Sequence, residues 1–142
     1  MQGPDSLSIV VFAGGFDRVH YALVMASAAA ATNRKVTLFF TGRALNALVD
    51  SPEPGWHGLD PADDGSRPAD RDRFFAENGL ATFEELLGAC VALGATVMAC
   101  EMGLKALGLP AGAGLRPDVP VQRGGVVTFL NESSSGGAML FV

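Results

Sequence analysis

Apolar residues along this chain gather in bursts of two kinds, parted by glycine, proline and aspartate. Leu7 to Phe12 (Leu-Ser-Ile-Val-Val-Phe), Lys35 to Phe40 and Ala95 to Ala99 are short and rich in β-branched or aromatic side chains, the signature of buried strands. Longer stretches between them carry helical spacing. Arg18 to Thr32 is Ala-rich and suited to lying close on a sheet, with Asp17 expected as N-cap, Phe16 and Tyr21 as a hydrophobic staple, and Asn33 as a left-handed stop. A short helix is expected over Ala44 to Val49, after Thr41-Gly42-Arg43. Thr82 and Glu85 fit a capping box, and Phe83, Leu86, Leu87, Cys90 and Val91 repeat at helical spacing as far as Gly94. Beyond Ala99, the pattern predicts a short helix over Glu101 to Leu107 closed by Gly108, a strand around Val119 to Gln122, a helix from Gly125 to Ser133 and a last strand over Ala138 to Val142.

Strands that alternate with helices imply right-handed crossovers and a parallel sheet covered on both faces, an α/β fold. The 142 residues suit one domain and bury a real core without staples. Residues 51–72 interrupt the rhythm: Pro52, Pro54, Pro61 and Pro68 stand among Gly and Asp, so a long proline-rich loop is expected, anchored by Trp56 and His57.

Composition narrows the function classes. Half the residues are apolar and fewer than a fifth charged, which excludes disorder for the bulk of the chain. A net charge of −5 with scattered basic residues argues against a nucleic-acid surface. The longest apolar stretch, Tyr21 to Ala31, is too short for a membrane span, and the start of the chain lacks the pattern of a signal peptide. Cys90 and Cys100 are the only cysteines, so no disulfide framework is expected, and both read as reduced thiols of a cytoplasmic protein.

Open parallel sheets bind ligands beyond the carboxyl ends of their strands. That selects Ala13 to Asp17, Thr41 to Arg43, Cys100 to Met102, Gln122 to Gly125 and the C-terminus, and Cys100 alone among these is a strong nucleophile. It stands at a helix opening, where unpaired N–H groups favour a thiolate, although Glu101 beside it works the other way. Position alone leaves packing and chemistry both open for it. Cys90 falls on the apolar stripe of its helix and reads as a core residue. Ala13-Gly14-Gly15-Phe16 is a glycine turn that matches neither a dinucleotide fingerprint nor a P-loop, so Gly14 and Gly15 read first as turn geometry and second as support for a ligand; no cofactor is expected. His20 lies on the site side of the first helix, and Arg43 and Arg123 follow strands two and four, where either could set a cation beside Cys100 or simply be solvated. Two histidines without paired ligand spacing give no metal site, and Asp63-Asp64 and Glu84-Glu85 read as solvated charge.

Together these segments carry a resemblance. The glycine turn, the Ala-rich helix, Val36-Thr37-Leu38-Phe39-Phe40 leading into Leu45-Asn46-Ala47-Leu48, Phe83-x-x-Leu86-Leu87, and above all Ala99-Cys100-Glu101-Met102-Gly103-Leu104-Lys105-Ala106-Leu107-Gly108 resemble the DsrE/DsrF-like sulfur-relay family, from Leu7 to Val142. The resemblance implies a three-layer α/β/α fold on a five-stranded parallel sheet, with strand three between strands two and four. It also implies a homo-oligomer, trimer or hexamer, and a Cys100 that carries sulfur as a persulfide between a donor and an acceptor protein. Arg43 and Arg123 would then flank Cys100, with His20 further off, and the sulfur is expected at the mouth of the crevice. A Cys100 fully buried with no crevice above it would favour a binding or scaffold subunit of the same fold. A peroxide-reactive thiol protein is a further alternative, and it wants a second reachable thiol.

Overall fold

In this computed structural model, which describes residues 3–109, 114–133 and 135–142, the chain builds one sheet in two sweeps. The strands are β1 (Ser6–Val11), β2 (Lys35–Phe40), β3 (Thr96–Cys100), β4 (Val121–Gly124) and β5 (Ala138–Phe141). Their order is β4-β3-β2-β1-β5, and every pairing is parallel. From β1 to β4 the chain steps in one direction, so right-handed crossovers place all the intervening helices on one face. The passage from β4 back to β5 runs the opposite way and puts its helix on the other face. The result is the three-layer α/β/α architecture that the sequence implied, with unequal outer layers.

The thick layer holds α1 (Phe16–Ala31), α2 (Pro68–Glu77), α3 (Phe83–Ala92) and α4 (Glu101–Ala106), with 3-10 turns at Gly42–Leu48 and Gly55–Gly58. Small side chains let α1 lie close: Ala22, Ala26, Leu23 and Val19 are buried, in one core with Ile9, Val11, Leu38, Phe40 and Leu87. Asn33 takes the left-handed φ of 65° expected of the stop after α1. The capping box at Thr82 and Glu85 forms as read, with Glu85 N–H donating to Thr82 Oγ1 at 3.2 Å and Thr82 N–H to Glu85 Oε1 at 3.1 Å. The thin layer is α5 (Val126–Glu132) alone.

Three expectations need correction. Gly15, not Asp17, is the N-cap of α1, and no side-chain cap bond forms there. Asp17 lies inside the helix's first turn, where its carboxylate accepts the N–H of Asp63 at 2.8 Å. Phe16 is fully buried while Tyr21 is 61% exposed, so no staple forms. Finally, residues 51–72 are not all loop, because α2 begins at Pro68. Proline fits the first helical position because its missing N–H would have no partner there anyway.

Candidate functional site

After β1, the glycine turn is the seat of the proline-rich segment. Asp60 N–H donates to Gly14 O at 2.8 Å, and Phe16 N–H to Asp60 O at 3.1 Å. Arg43 grips the Asp60 carboxylate, Nε reaching Oδ2 at 2.9 Å and Nη2 reaching Oδ1. This hydrogen bonding, ahead of the charge itself, holds the Asp60 carboxyl below its usual range. A side chain at position 14 would come within 2.6 Å of both Arg43 Cβ and Asp60 Oδ2, so only glycine leaves room for the clasp. Gly14, Gly15 and Arg43 thus sit together, and the Arg43 guanidinium is engaged with Asp60.

Cys100 ends β3, between β2 and β4, paired in register with Gly124. It is the N-cap of α4, and Gly103 N–H donates to its Sγ at 3.4 Å. Gly103 allows this close fit, since a Cβ there would stand 2.7 Å from Leu45 Cδ1 and 3.1 Å from Thr41 Oγ1. The thiol is not at an open crevice mouth as expected: Cys100 is 1% exposed. The pleat explains the burial. Met98 and Cys100 point to the same face, the one that α5 covers, and they cluster there with Phe39 and Phe129.

The other candidates disperse. Arg123 is exposed and pairs in register with Ala99, so the pleat turns its side chain to the face opposite Cys100. His20 is buried near Phe16 and Phe75, its Nε2–H donating to Ala81 O at 2.9 Å. Trp56 is buried and anchors its segment, donating Nε1–H to Glu84 Oε2 at 2.7 Å, while His57 sets its ring edge-on to Trp56. Cys90 lies in the core, and burial pushes its thiol up to about 11. No group of three or more His, Cys, Asp or Glu side chains suited to a metal ion occurs among the described residues. No helix among the described residues is long and apolar enough to cross a membrane.

Two polar features escaped the sequence reading. Glu84 is not simply solvated: Arg116 Nη1 and Nη2 each donate to it at 2.7 Å, and Nη2 also reaches Asp118 Oδ2 at 2.7 Å. These hydrogen bonds hold Glu84 below its usual range. Asp72 is buried and accepts Phe83 N–H at 2.7 Å, and desolvation raises its pKa. No local pattern announces either, because the partners lie far apart along the chain.

A five-stranded parallel sheet between helical layers, with a cysteine closing β3 and capping the next helix, defines an α/β/α protein with a thiol at the carboxyl edge of its sheet. The model of the DsrE/DsrF-like family matches residues 7–141, and the chain belongs to that family. None of the curated proteins compared with the chain matches it. Membership suggests a role of the sulfur-relay type.

Proposed function

We infer that the protein carries sulfane sulfur as a persulfide on Cys100. The observation that carries the reading is the setting of Sγ: it closes a strand at the carboxyl edge of the sheet and already accepts the N–H of Gly103. In loading, the Cys100 thiolate attacks the outer sulfur of a donor persulfide. A new S–S bond forms, the donor's S–S bond breaks, and its electron pair leaves on the donor thiolate, which takes up a proton. Delivery repeats the exchange, with an acceptor thiolate attacking the outer sulfur and Cys100 as the leaving group. No external oxidant or reductant is consumed. Cys90, in the opposite core, takes no part. Arg43 could support the site only by releasing Asp60, and the Gly14–Gly15 turn and His20 support it by holding the surrounding elements in place. Arg123, exposed on the opposite face of the sheet, would act on an anionic donor only at long range and not at the sulfur itself. We place the relay in the cytoplasm and expect a homo-oligomer, trimer or hexamer, since Phe12, Met139 and Phe141 leave apolar surface on the thin side.

The test is intact-mass measurement after incubation with a sulfane-sulfur donor. The native protein should gain about 32 Da, one sulfur atom, and lose it to a reducing agent, as thiol–persulfide exchange requires. Cys100→Ser should gain nothing; a gain that persists there refutes the reading. The burial of Cys100 favours one competing view, a scaffold subunit without transfer chemistry. Absence of loading in the wild type, with Cys100 shown to be reachable by a small reagent, would establish it.

A further inference from the structure

Cys100 is buried under an element that is itself barely attached. Phe129 is the only residue of α5 that is buried. Its ring stacks on Phe39 of β2, with centroids 4.7 Å apart and planes 13° from parallel. Val126, Val127 and Leu130 of the same helix face solvent. Beyond bonds within or beside the helix, such as Phe129 N–H to Gly125 O and Ser133 Oγ–H to Phe129 O, α5 is tied by one exposed bond at its end, Lys35 Nζ donating to Glu132 O at 3.4 Å. A helix this short has little stability of its own in water and depends on its packing. Gly125, its N-cap, makes no side-chain cap bond, so no cap adds to the helix's hold at that end. The elements of the opposite face are tied down differently: α1 alone buries eight residues.

The geometry points to Phe129 as the gating residue for Cys100: when its ring leaves Phe39, α5 lifts and the thiol opens to solvent while the rest of the domain stays folded. The gate serves the sulfur-carrier reading proposed above, but it is a statement about access and can be tested without any sulfur transfer. The full-length native protein is alkylated with iodoacetamide, and each cysteine is followed by peptide mass. Cys90 reports global unfolding, because it is fully buried on the thick side. In the wild type, Cys100 should label faster than Cys90 by about 100-fold or more and respond weakly to low urea, since a local opening exposes little surface. Phe129→Ala should speed Cys100 labelling by about tenfold or more, the scale set by losing one buried ring, and leave the ratio shifted further from that of Cys90. Phe129→Leu, which keeps an apolar plug, should restore most of the protection. The proposal is overturned if both thiols label at one rate with the same steep urea dependence, or if Phe129→Ala accelerates both in parallel. The wild-type comparison decides the matter even if Phe129→Ala does not fold. Fast alkylation of Cys100 together with failure to load sulfur would uphold the gate and refute the carrier role.

Discussion

The two faces of the sheet are built from the same strands and yet are covered very differently. Toward α1 and α3, Ile9, Val11, Leu38, Phe40, Val97 and Ala99 meet helices on a continuous core. Toward α5, Val10, Phe39, Met98 and Cys100 meet essentially one ring, Phe129, and the ends of β1 and β5 leave Phe12 half exposed and Phe141 71% exposed. The difference follows from strand order, because four strands laid in one direction send every crossover but the last to one side. The thick side holds most of the buried core, and the thin side holds Cys100, the thiol to which the carrier role is proposed. Local stability tends to be lowest where function needs movement.

Truncations to alanine on the two sides should break this contrast if it is wrong. Leu23→Ala removes a fully buried side chain from α1 and should cost about 2–5 kcal/mol in urea unfolding. Val127→Ala on α5, where the side chain is exposed, should stay within about 0.5 kcal/mol of wild type. Equal losses would mean that α5 is as firmly packed as α1. Gly103→Ala comes next: the added methyl meets Leu45 and Thr41, and about 1–3 kcal/mol should be lost, with Cys100 alkylation faster than wild type. A neutral outcome would show that the approach of α4 to the Gly42–Leu48 turn is looser than described.

A smaller effect is expected at the Glu84–Arg116–Asp118 network, which pins the segment after residue 114 to α3 on the thick side. Arg116→Ala should cost about 1–2 kcal/mol at neutral pH, a figure kept low because Glu84 is partly exposed. The pH dependence has a definite sign. Glu84 is depressed in the folded protein, so its contribution is present above the unfolded carboxylate value, about 4.3, and is lost as pH falls through the lower folded one. The gap between wild type and Arg116→Ala in thermal unfolding should therefore shrink below about pH 4; a gap that widens there would contradict the assignment. Smallest of all should be Phe141→Ser, within about 0.5 kcal/mol for an exposed edge position. Its useful readout is sedimentation, where a shift to smaller species would locate an interface between copies on the thin side, and no shift would remove that surface from the oligomer.

Much of the frame was legible because it is local. The span of β2, the left-handed Asn33, the Thr82–Glu85 capping box and the place of Cys100 between a strand and a helix are set by neighbours in sequence. Helix α2 was missed because its Phe74 and Phe75 sit in a run of charge and its start lies among prolines, which read as loop even though Pro68 suits a first turn. The burial of Cys100 could not be read either. Strand position gave its edge of the sheet, but the lid comes from Phe129, far along the chain, and only the fold brings the two together. For the same reason Arg43 read as a free cation, although Asp60 across the proline-rich segment takes it up.

The most direct measurement of the central claim is a count of transferable sulfur by residue. After exposure to a sulfane-sulfur donor and removal of excess, cyanide should release about one sulfur per chain from the wild type and from Cys90→Ala, as a single carrier thiol requires. Cys100→Ser treated in the same way should release none. Release that disappears with Cys90→Ala, or survives in Cys100→Ser, would contradict the assignment of the carrier to the thin face of the sheet.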